Sequence, residues 1–141
     1  MSKILVAIDG SETSQRAAAY LAAPTSVFPS TTAIDLIHVH LPMPSPRAAA
    51  WVGADVVNKY YDDEAEVALT PARDLLTKAG RTFNVVKRVG DPGHEIAKAA
   101  KDGYAAIVMG THGRTALVNL AMGSVATRVI AEANVPVMLI K

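Results

Sequence analysis

The chain has 141 residues, a common size for one domain, and half of them are hydrophobic but only 5% aromatic, so Ala, Val, Ile and Leu must build its core. Its 14 Lys and Arg residues nearly balance 13 Asp and Glu residues, and this net charge of +1 argues against binding to nucleic acid or to an anionic membrane. The absence of Cys excludes disulfides, thiolate nucleophiles and Cys-based metal sites.

The N-terminus leads directly into a short apolar run, without a long hydrophobic leader, and no run approaches membrane-spanning length. We see no internal repeat, low-complexity segment or domain boundary. We therefore expect residues 1–141 to form a single cytoplasmic domain that makes no contact with a membrane.

The first third of the chain alternates strand and helix. Lys3–Ile8 is short and rich in Ile and Val, which is typical of a buried parallel strand. Ser11 is suited to cap a helix of about Glu12–Ala23, and the next strand is predicted at Ala33–Val39. This order favours a right-handed βαβ unit in a parallel sheet.

Residues 41–54 contain three prolines and show no clean periodicity, so we expect a long, mobile connection that carries Trp51. A helical region follows to about Ala79, with apolar residues spaced three and four apart on one face. Because this stripe keeps its phase across Pro71, we favour one kinked helix. The alternative is a second helix that Thr70 caps, with Pro71 in its first turn.

Three further strands are predicted in the second half of the chain, at Thr82–Val89, Tyr104–Met109 and Val135–Ile140. Asp91 as cap and Pro92 in the first turn predict a helix after the third strand, and the last helix begins at Ser124. Five strands that alternate with about four helices predict an α/β, Rossmann-like fold. We expect an open, doubly wound sheet of parallel strands in the order 3-2-1-4-5.

The segment Gly110–Ser124, GTHGRTALVNLAMGS, lies between the fourth strand and the last helix. Its glycines at 110, 113 and 123 supply backbone that can take positive φ and that a ligand can approach closely. The N-terminus of the following helix points N–H groups at this loop, which is how an anion site is built. Each glycine taken alone would also suit a strand end, a turn or an ordinary helix start.

The predicted strand order brings this loop to a second one. Ligands of doubly wound sheets lie beyond the carboxyl ends of the strands where the winding reverses, here between strands one and four. Asp9 and Gly110 end those two strands, so we expect them at one crevice. Asp9 alone also suits an Asx turn or a helix cap.

The spacing Gly110-x-x-Gly113, nine residues and then Gly123-Ser124 resembles the nucleotide-phosphate motif of the universal stress protein family, in its nucleotide-binding branch. The resemblance extends over nearly the whole chain, in the segments ILVAIDGSE, Val-Gly-Asp-Pro at 89–92, GSVATRVI and VPVMLI. It implies a stress-response regulatory module that binds ATP, ADP or AMP, with Mg²⁺.

The resemblance also implies which residues contact the nucleotide. Asp9 is implied near adenine and ribose, with backbone at Ala7 and Ile8; Val39 is implied at the base. Met109 and Gly110 are implied near the sugar. The residues implied at the phosphates are Gly113, Arg114, Gly123, Ser124 and Val125. Where the family often has a further glycine, the chain has Ala116.

Two other function classes remain open. The first is a slow ATP-hydrolysing or adenylyl-transferring enzyme on the same scaffold. Against it, the sequence has no GxxxxGK[ST] loop and no paired carboxylates for Mg²⁺, so we expect no catalytic residues and at most a weak ATPase. The second is a nucleotide-free dimeric interaction protein.

Four histidines complete the set of candidate residues. His112 could donate to a phosphate or be an ordinary exposed loop residue, and His94 fits a helix surface. His38 and His40 close the second strand, where no carboxylate or third histidine has ligand spacing with them, so we expect no metal site.

The C-terminal strand is an edge in the predicted order. Val135, Val137 and Leu139 would point to one face and Met138 and Ile140 to the other, and no charge protects the edge before Lys141. A short apolar edge is suited to pairing with its own copy across a two-fold axis. We therefore expect a homodimer, which the family resemblance also implies.

Overall fold

A computed structural model of the chain describes residues 2–113 and 122–141. Its strands are β1 (Lys3–Ala7), β2 (Ala33–His40), β3 (Phe83–Val89), β4 (Ala106–Gly110) and β5 (Val137–Ile140). Its helices are α1 (Glu12–Ala22), α2 (Pro46–Val52), α3 (Ala54–Lys78), α4 (Pro92–Ala99) and α5 (Ser124–Glu132). All strand pairs are parallel and follow the order β3-β2-β1-β4-β5, which confirms the predicted sheet.

The core lies on both faces of this sheet because successive side chains of each strand point to opposite sides. On one face, Ile4, Val6 and Leu36 pack with Ala and Leu residues of α1 and α3. On the other face, Leu5 and Ile37 pack with residues of α4 and α5. The strands are apolar on both sides because helices cover both faces, as expected for a parallel sheet.

Helices α1 and α4 of the described chain begin at the capping residues that the sequence predicted. The Ser11 side chain accepts a hydrogen bond from the Ser14 N–H at the start of α1. Asp91 does the same at α4, where the His94 N–H donates to its carboxylate at 2.9 Å, and Pro92 is the first helical residue. Both helices therefore start where their caps place them.

The prediction of an irregular connection at residues 41–54 was wrong, because Pro46–Val52 forms helix α2. Ser45 caps it by accepting from the Ala48 N–H at 3.1 Å, and Gly53 ends it with a φ of 90°. No residue of α2 is buried, and Trp51 is 90% exposed. This helix lacks an apolar stripe, so periodicity could not reveal it, and it raises the helix number among the described residues from about four to five.

Helix α3 runs through Pro71 without a break, as the favoured prediction of one helix has it. The Thr70 hydroxyl donates to the Glu66 carbonyl at 2.6 Å, one turn earlier, and so does not cap a new helix. The buried residues of α3 follow the predicted stripe and include Ala65, Ala68 and Ala72. Within the described residues, no helix is both long enough and apolar enough to cross a membrane.

Candidate functional site

An open cleft of about 520 Å³, its mouth included, lies at the carboxyl ends of the central strands. This is where the winding of the sheet reverses, because β1 pairs with β2 on one side and with β4 on the other. Eight of the eleven predicted site residues line it: Ala7, Ile8, Asp9, Val39, Met109, Gly110, Gly113 and Val125. The two loops that follow β1 and β4 therefore meet, as the strand order predicted.

Of the other three predicted site residues, two do not line the cleft and one lies outside the described residues. Gly123 adjoins the loop after β4, since its N–H donates to the Thr111 carbonyl at 2.7 Å. Ser124 is the first residue of α5 and is exposed, so its side chain does not line the cleft. Arg114 lies outside the described residues.

The sequence suggested that the glycines of the loop take positive φ and allow close approach. The structure shows the close approach but not the positive φ. Gly110, Gly113 and Gly123 are absent from the described glycines with positive φ, which are Gly10, Gly53, Gly80, Gly90 and Gly103. A Cβ on Gly110 would lie 2.3 Å from Thr13 Oγ1, and a Cβ on Gly113 would lie 3.0 Å from Asp9 Oδ2. Side chains at these two positions would displace the neighbouring element or narrow the cleft.

Asp9 stands at the end of β1 with its two carboxylate oxygens in different surroundings. Its Oδ1 accepts a hydrogen bond from the Ser11 N–H at 2.8 Å, which is the Asx turn that the sequence left open. Its Oδ2 faces Gly113 across the cleft. Asp9 is half-buried, so the turn fixes the carboxylate without burying it.

One side of the cleft is apolar, and most of it was missed in the sequence. Ile37 lies two residues before Val39 and therefore on the same face of β2. Pro92 and Ile96 are one turn apart at the start of α4, directly after the Val-Gly-Asp-Pro turn. Other lining residues not predicted are Ser14 and Ala126. Strand periodicity and the position of α4 after β3 were the signals that could have found Ile37, Pro92 and Ile96.

The loop after β4 and the start of α5 also line the cleft. Gly123, which has no side chain, precedes α5, and Val125 and Ala126 of its first turn line the cleft. His112 also lines it, and its ring lies 3.0 Å from the Thr111 hydroxyl. The cleft thus joins an apolar wall to the N-terminus of α5, where first-turn N–H groups and the helix dipole favour an anion. This combination suits a ligand with an apolar ring and an anionic tail.

The remaining histidines lie outside this cleft. The buried His38 ring makes a 2.8 Å hydrogen bond to the Ile8 carbonyl, and His40 packs edge-on against Tyr60 and Tyr61. The exposed His94 ring lies 2.9 Å from Glu132. Among the described residues, no group of three or more His, Asp and Glu side chains is placed to hold a metal ion.

A charged cluster on α3 and β3 is structural. Lys87 Nζ contacts Asp62 at 2.5 Å and Glu66 at 2.7 Å, and Arg73 contacts Glu66 at 2.6 Å. Hydrogen bonds from Lys87 and Arg73 lower the pKa of Glu66. These pairs join α3 to the outer strand β3 and do not line the cleft at the centre of the sheet.

The comparisons with known proteins agree with this architecture. The model of the universal stress protein family matches residues 1–141. The universal stress protein MJ0531 of Methanocaldococcus jannaschii is 30% identical over 141 residues, which are 99% of this chain and 81% of that protein. The solved structure of MJ0577 from the same organism is also 30% identical, with a TM-score of 0.76, and the match covers 99% of this chain and 95% of that one.

Two more distant solved structures share the fold and contain nucleotides. One is a universal stress protein in complex with cAMP, 22% identical with a TM-score of 0.69, covering 99% of this chain and 97% of that one. The other is a family member from Arabidopsis thaliana with AMP bound, 20% identical with a TM-score of 0.67, covering 100% and 92%. The match of the whole chain to the family model, together with the relative that is 30% identical, shows that the chain belongs to the universal stress protein family.

Proposed function

We propose that the chain binds an adenine nucleotide, ATP or its products ADP and AMP, in the cleft and acts as a regulatory module of the stress response. The observation that carries this proposal is the meeting of the β1 and β4 loops at one cleft that has an apolar wall and is lined by the first turn of α5. The AMP and cAMP complexes of two family members support adenine as the base.

The chemistry of the cleft suggests how the nucleotide would lie. Its base would contact the apolar wall beside Val39 and Ile96, and Asp9 would lie near the ribose. The backbone at Gly113 and the first turn of α5 would receive the phosphates.

Mg²⁺ fits this arrangement as a companion of the phosphates. The ion prefers oxygen ligands, keeps several waters and is commonly held by one or two carboxylates together with substrate phosphates. Asp9 provides one carboxylate at the cleft. We therefore propose that Mg²⁺ enters together with the nucleotide.

Calorimetry and thermal unfolding with Mg²⁺-ATP test the proposal. A ligand that binds the native state at 100 times its Kd stabilises it by about 2.7 kcal/mol, so we expect a clear rise in the unfolding temperature together with a binding heat. No heat and no shift at millimolar ATP would favour a nucleotide-free interaction protein.

Two glycine variants locate the site. Gly113→Val and Gly123→Val place side chains where phosphate must approach the backbone, and we expect both to fold and to lose ATP binding. The matched control is Gly103→Asn, which adds a side chain where no atom lies within 4 Å. Gly103 has a positive φ, which Asn tolerates better than most residues. If both valine variants bind ATP like the wild type, the site lies elsewhere.

Bound ATP is expected to persist for minutes or longer. Among the described residues that line the cleft, Asp9 and His112 are the ionisable ones, and Oδ1 of Asp9 is held by Ser11. Fast phosphoryl transfer relies on cationic groups at the phosphates, and this described lining contains no lysine or arginine. Turnover at kinase-like rates would instead identify the chain as an ATP-cleaving enzyme.

We also propose that two chains pair through β5. This strand lies at the end of the sheet and pairs with β4 on one side. As predicted, Met138 and Ile140 pack on the α1 and α3 side, and Val135, Val137 and Leu139 pack on the other. The remaining edge of an apolar strand suits an isologous contact with a second copy.

A further inference from the structure

Thr13, in the first turn of α1, holds the loop that follows β4. Its hydroxyl donates a hydrogen bond to the His112 carbonyl at 2.5 Å, across 99 residues of sequence. The Ser11 hydroxyl approaches the same carbonyl at 3.4 Å. Two side chains of α1 and its cap thus converge on one backbone oxygen of the loop.

The body of the Thr13 side chain also fits against Gly110. A Cβ on Gly110 would lie 2.3 Å from Thr13 Oγ1 and 2.7 Å from Thr13 Cβ, so Thr13 occupies the space that any other residue at 110 would need. The end of β4 is therefore locked against α1 by contact as well as by the hydrogen bond. Thr13 therefore constrains the backbone from Gly110 to His112.

The hydrogen bond to His112 also fixes the direction of the next N–H group. The described chain contains no cis peptide, and in a planar trans peptide the C=O and the N–H point in opposite directions. Because the His112 carbonyl points at α1, the Gly113 N–H points away from it. A Cβ on Gly123 would lie 3.5 Å from the Gly113 nitrogen, so the glycine at 123 leaves room beside this donor.

We propose that Thr13 is a positioning residue that aims the Gly113 N–H at a phosphate group of the bound nucleotide. This inference rests on the proposed nucleotide site and adds to it a residue that does not line the cleft. An amide that is already oriented before the anion arrives binds it more strongly than one that must first be ordered. Without the Thr13 hydroxyl, the 112–113 peptide loses the shorter of the two hydrogen bonds that the Thr13 and Ser11 hydroxyls donate to its carbonyl.

The test compares three variants by calorimetry, each with Mg²⁺-ATP and with adenosine. Thr13→Val and Thr13→Ala remove the hydroxyl, and we expect ATP to bind about tenfold more weakly, a difference of about 1.4 kcal/mol. Adenosine has no phosphate, so its affinity should stay within about twofold of the wild-type value, well under the 1.4 kcal/mol of a tenfold change. Thr13→Ser keeps the hydroxyl and should bind ATP like the wild type.

The matched control is Thr70→Val, which removes another threonine hydroxyl bonded to a backbone carbonyl, on α3 and away from the cleft. It should bind both ligands like the wild type. If Thr13→Val does not fold by circular dichroism, Thr13→Ala and Thr13→Ser give the same comparison.

Two results would overturn the inference alone. One is wild-type ATP affinity in the variants that lack the hydroxyl. The other is an equal loss of ATP and adenosine, which would show a general effect on the cleft. A wild-type chain that binds adenosine but not ATP, or neither ligand, would instead overturn the proposed function and this inference with it.

Discussion

Asp35 is a buried carboxylate near the start of β2, with only 7% of its surface exposed. Three side chains from other strands and their flanking segments surround it. The Tyr104 hydroxyl donates to it at 2.6 Å, Asn84 donates at 3.3 Å, and Lys3 Nζ lies 3.7 Å away and 4.2 Å from the centre of the Tyr104 ring. A carboxylate at this depth is tolerated because donors and a cation meet it.

Removal of the Tyr104 hydroxyl should therefore destabilise the fold. We expect Tyr104→Phe to lower the free energy of unfolding by about 1–2 kcal/mol, because a buried charged acceptor loses its shortest hydrogen bond. The matched control is Tyr20→Phe, whose hydroxyl accepts from the Val27 N–H in an exposed setting and which should change stability by less than about 0.5 kcal/mol. Urea unfolding of both variants measures the difference, and equal effects would contradict the role given to Asp35.

The same pair predicts a loss of stability in alkali. Burial and the hydrogen bond to Asp35 raise the pKa of Tyr104 above its ordinary value of 10.0. A group whose pKa is raised on folding stabilises the fold fully below its unfolded pKa and loses that contribution as the pH rises above it. The stability gap between the wild type and Tyr104→Phe should be constant up to about pH 9 and then shrink. A gap that widens above pH 10 would contradict this sign.

At the scale of single elements, local signals were sufficient wherever a cap and an apolar stripe coincided. Helices α1 and α4 begin at the caps read from the sequence, and α3 follows its stripe of small apolar residues through Pro71. Helix α2 had the cap and the final glycine but no buried face, so the absence of periodicity hid it. Capping residues therefore predict helices that periodicity misses.

Pro71 in α3 gives a test at this scale. A proline inside a helix removes one backbone hydrogen bond and crowds the preceding turn, so Pro71→Ala should raise the free energy of unfolding by about 1 kcal/mol. This gain is smaller than the intrinsic difference of about 3 kcal/mol because proline also restricts the unfolded chain.

Pro92→Ala is the matched control for this change. Pro92 is the first residue of α4, where a proline has no helical hydrogen bond to lose. Its replacement should leave stability unchanged or lower it slightly, since the unfolded chain gains freedom. Denaturant unfolding of both variants measures the two free energies of unfolding. If Pro71→Ala is less stable than the wild type, Pro71 stabilises α3 and the prediction is wrong.

For the whole molecule, the alternation of strands and helices predicted a doubly wound parallel sheet but not which strands are neighbours. The order 3-2-1-4-5 was inferred for this type of fold, and it predicted the meeting of Asp9 and Gly110. The sequence could not predict hydrogen bonds between distant residues. No local pattern links Thr13 to His112, 99 residues away, or Asp35 to Tyr104, 69 residues away. Such contacts depend on side-chain directions that only the packed fold determines.

The proposed dimer is tested by a proline on the open side of β5. The carbonyls of Pro136 and Ile140 accept hydrogen bonds from Ile107 and Thr111, so the backbone groups of Val137 and Leu139, which alternate with them, point away from β4. Leu139→Pro should therefore remove a donor to the second copy while keeping the pairing with β4, and light scattering should show a monomer.

Leu139→Val serves as the control for the dimer test. It keeps the N–H group and an apolar side chain, so it should remain dimeric at the concentration at which Leu139→Pro dissociates. The idea fails if the wild type is monomeric, or if a folded Leu139→Pro still dimerises.

The position of Trp51 on helix α2 limits which optical signal can be used to follow the unfolding of these variants. Trp51 is the single tryptophan of the chain, and it is 90% exposed on a helix with no buried residue. The indole is already surrounded by water in the native state, so its fluorescence should change little when the chain unfolds and should be quenched freely by acrylamide before denaturation. Unfolding will have to be followed by circular dichroism, and a change in tryptophan emission will instead report that something has covered α2.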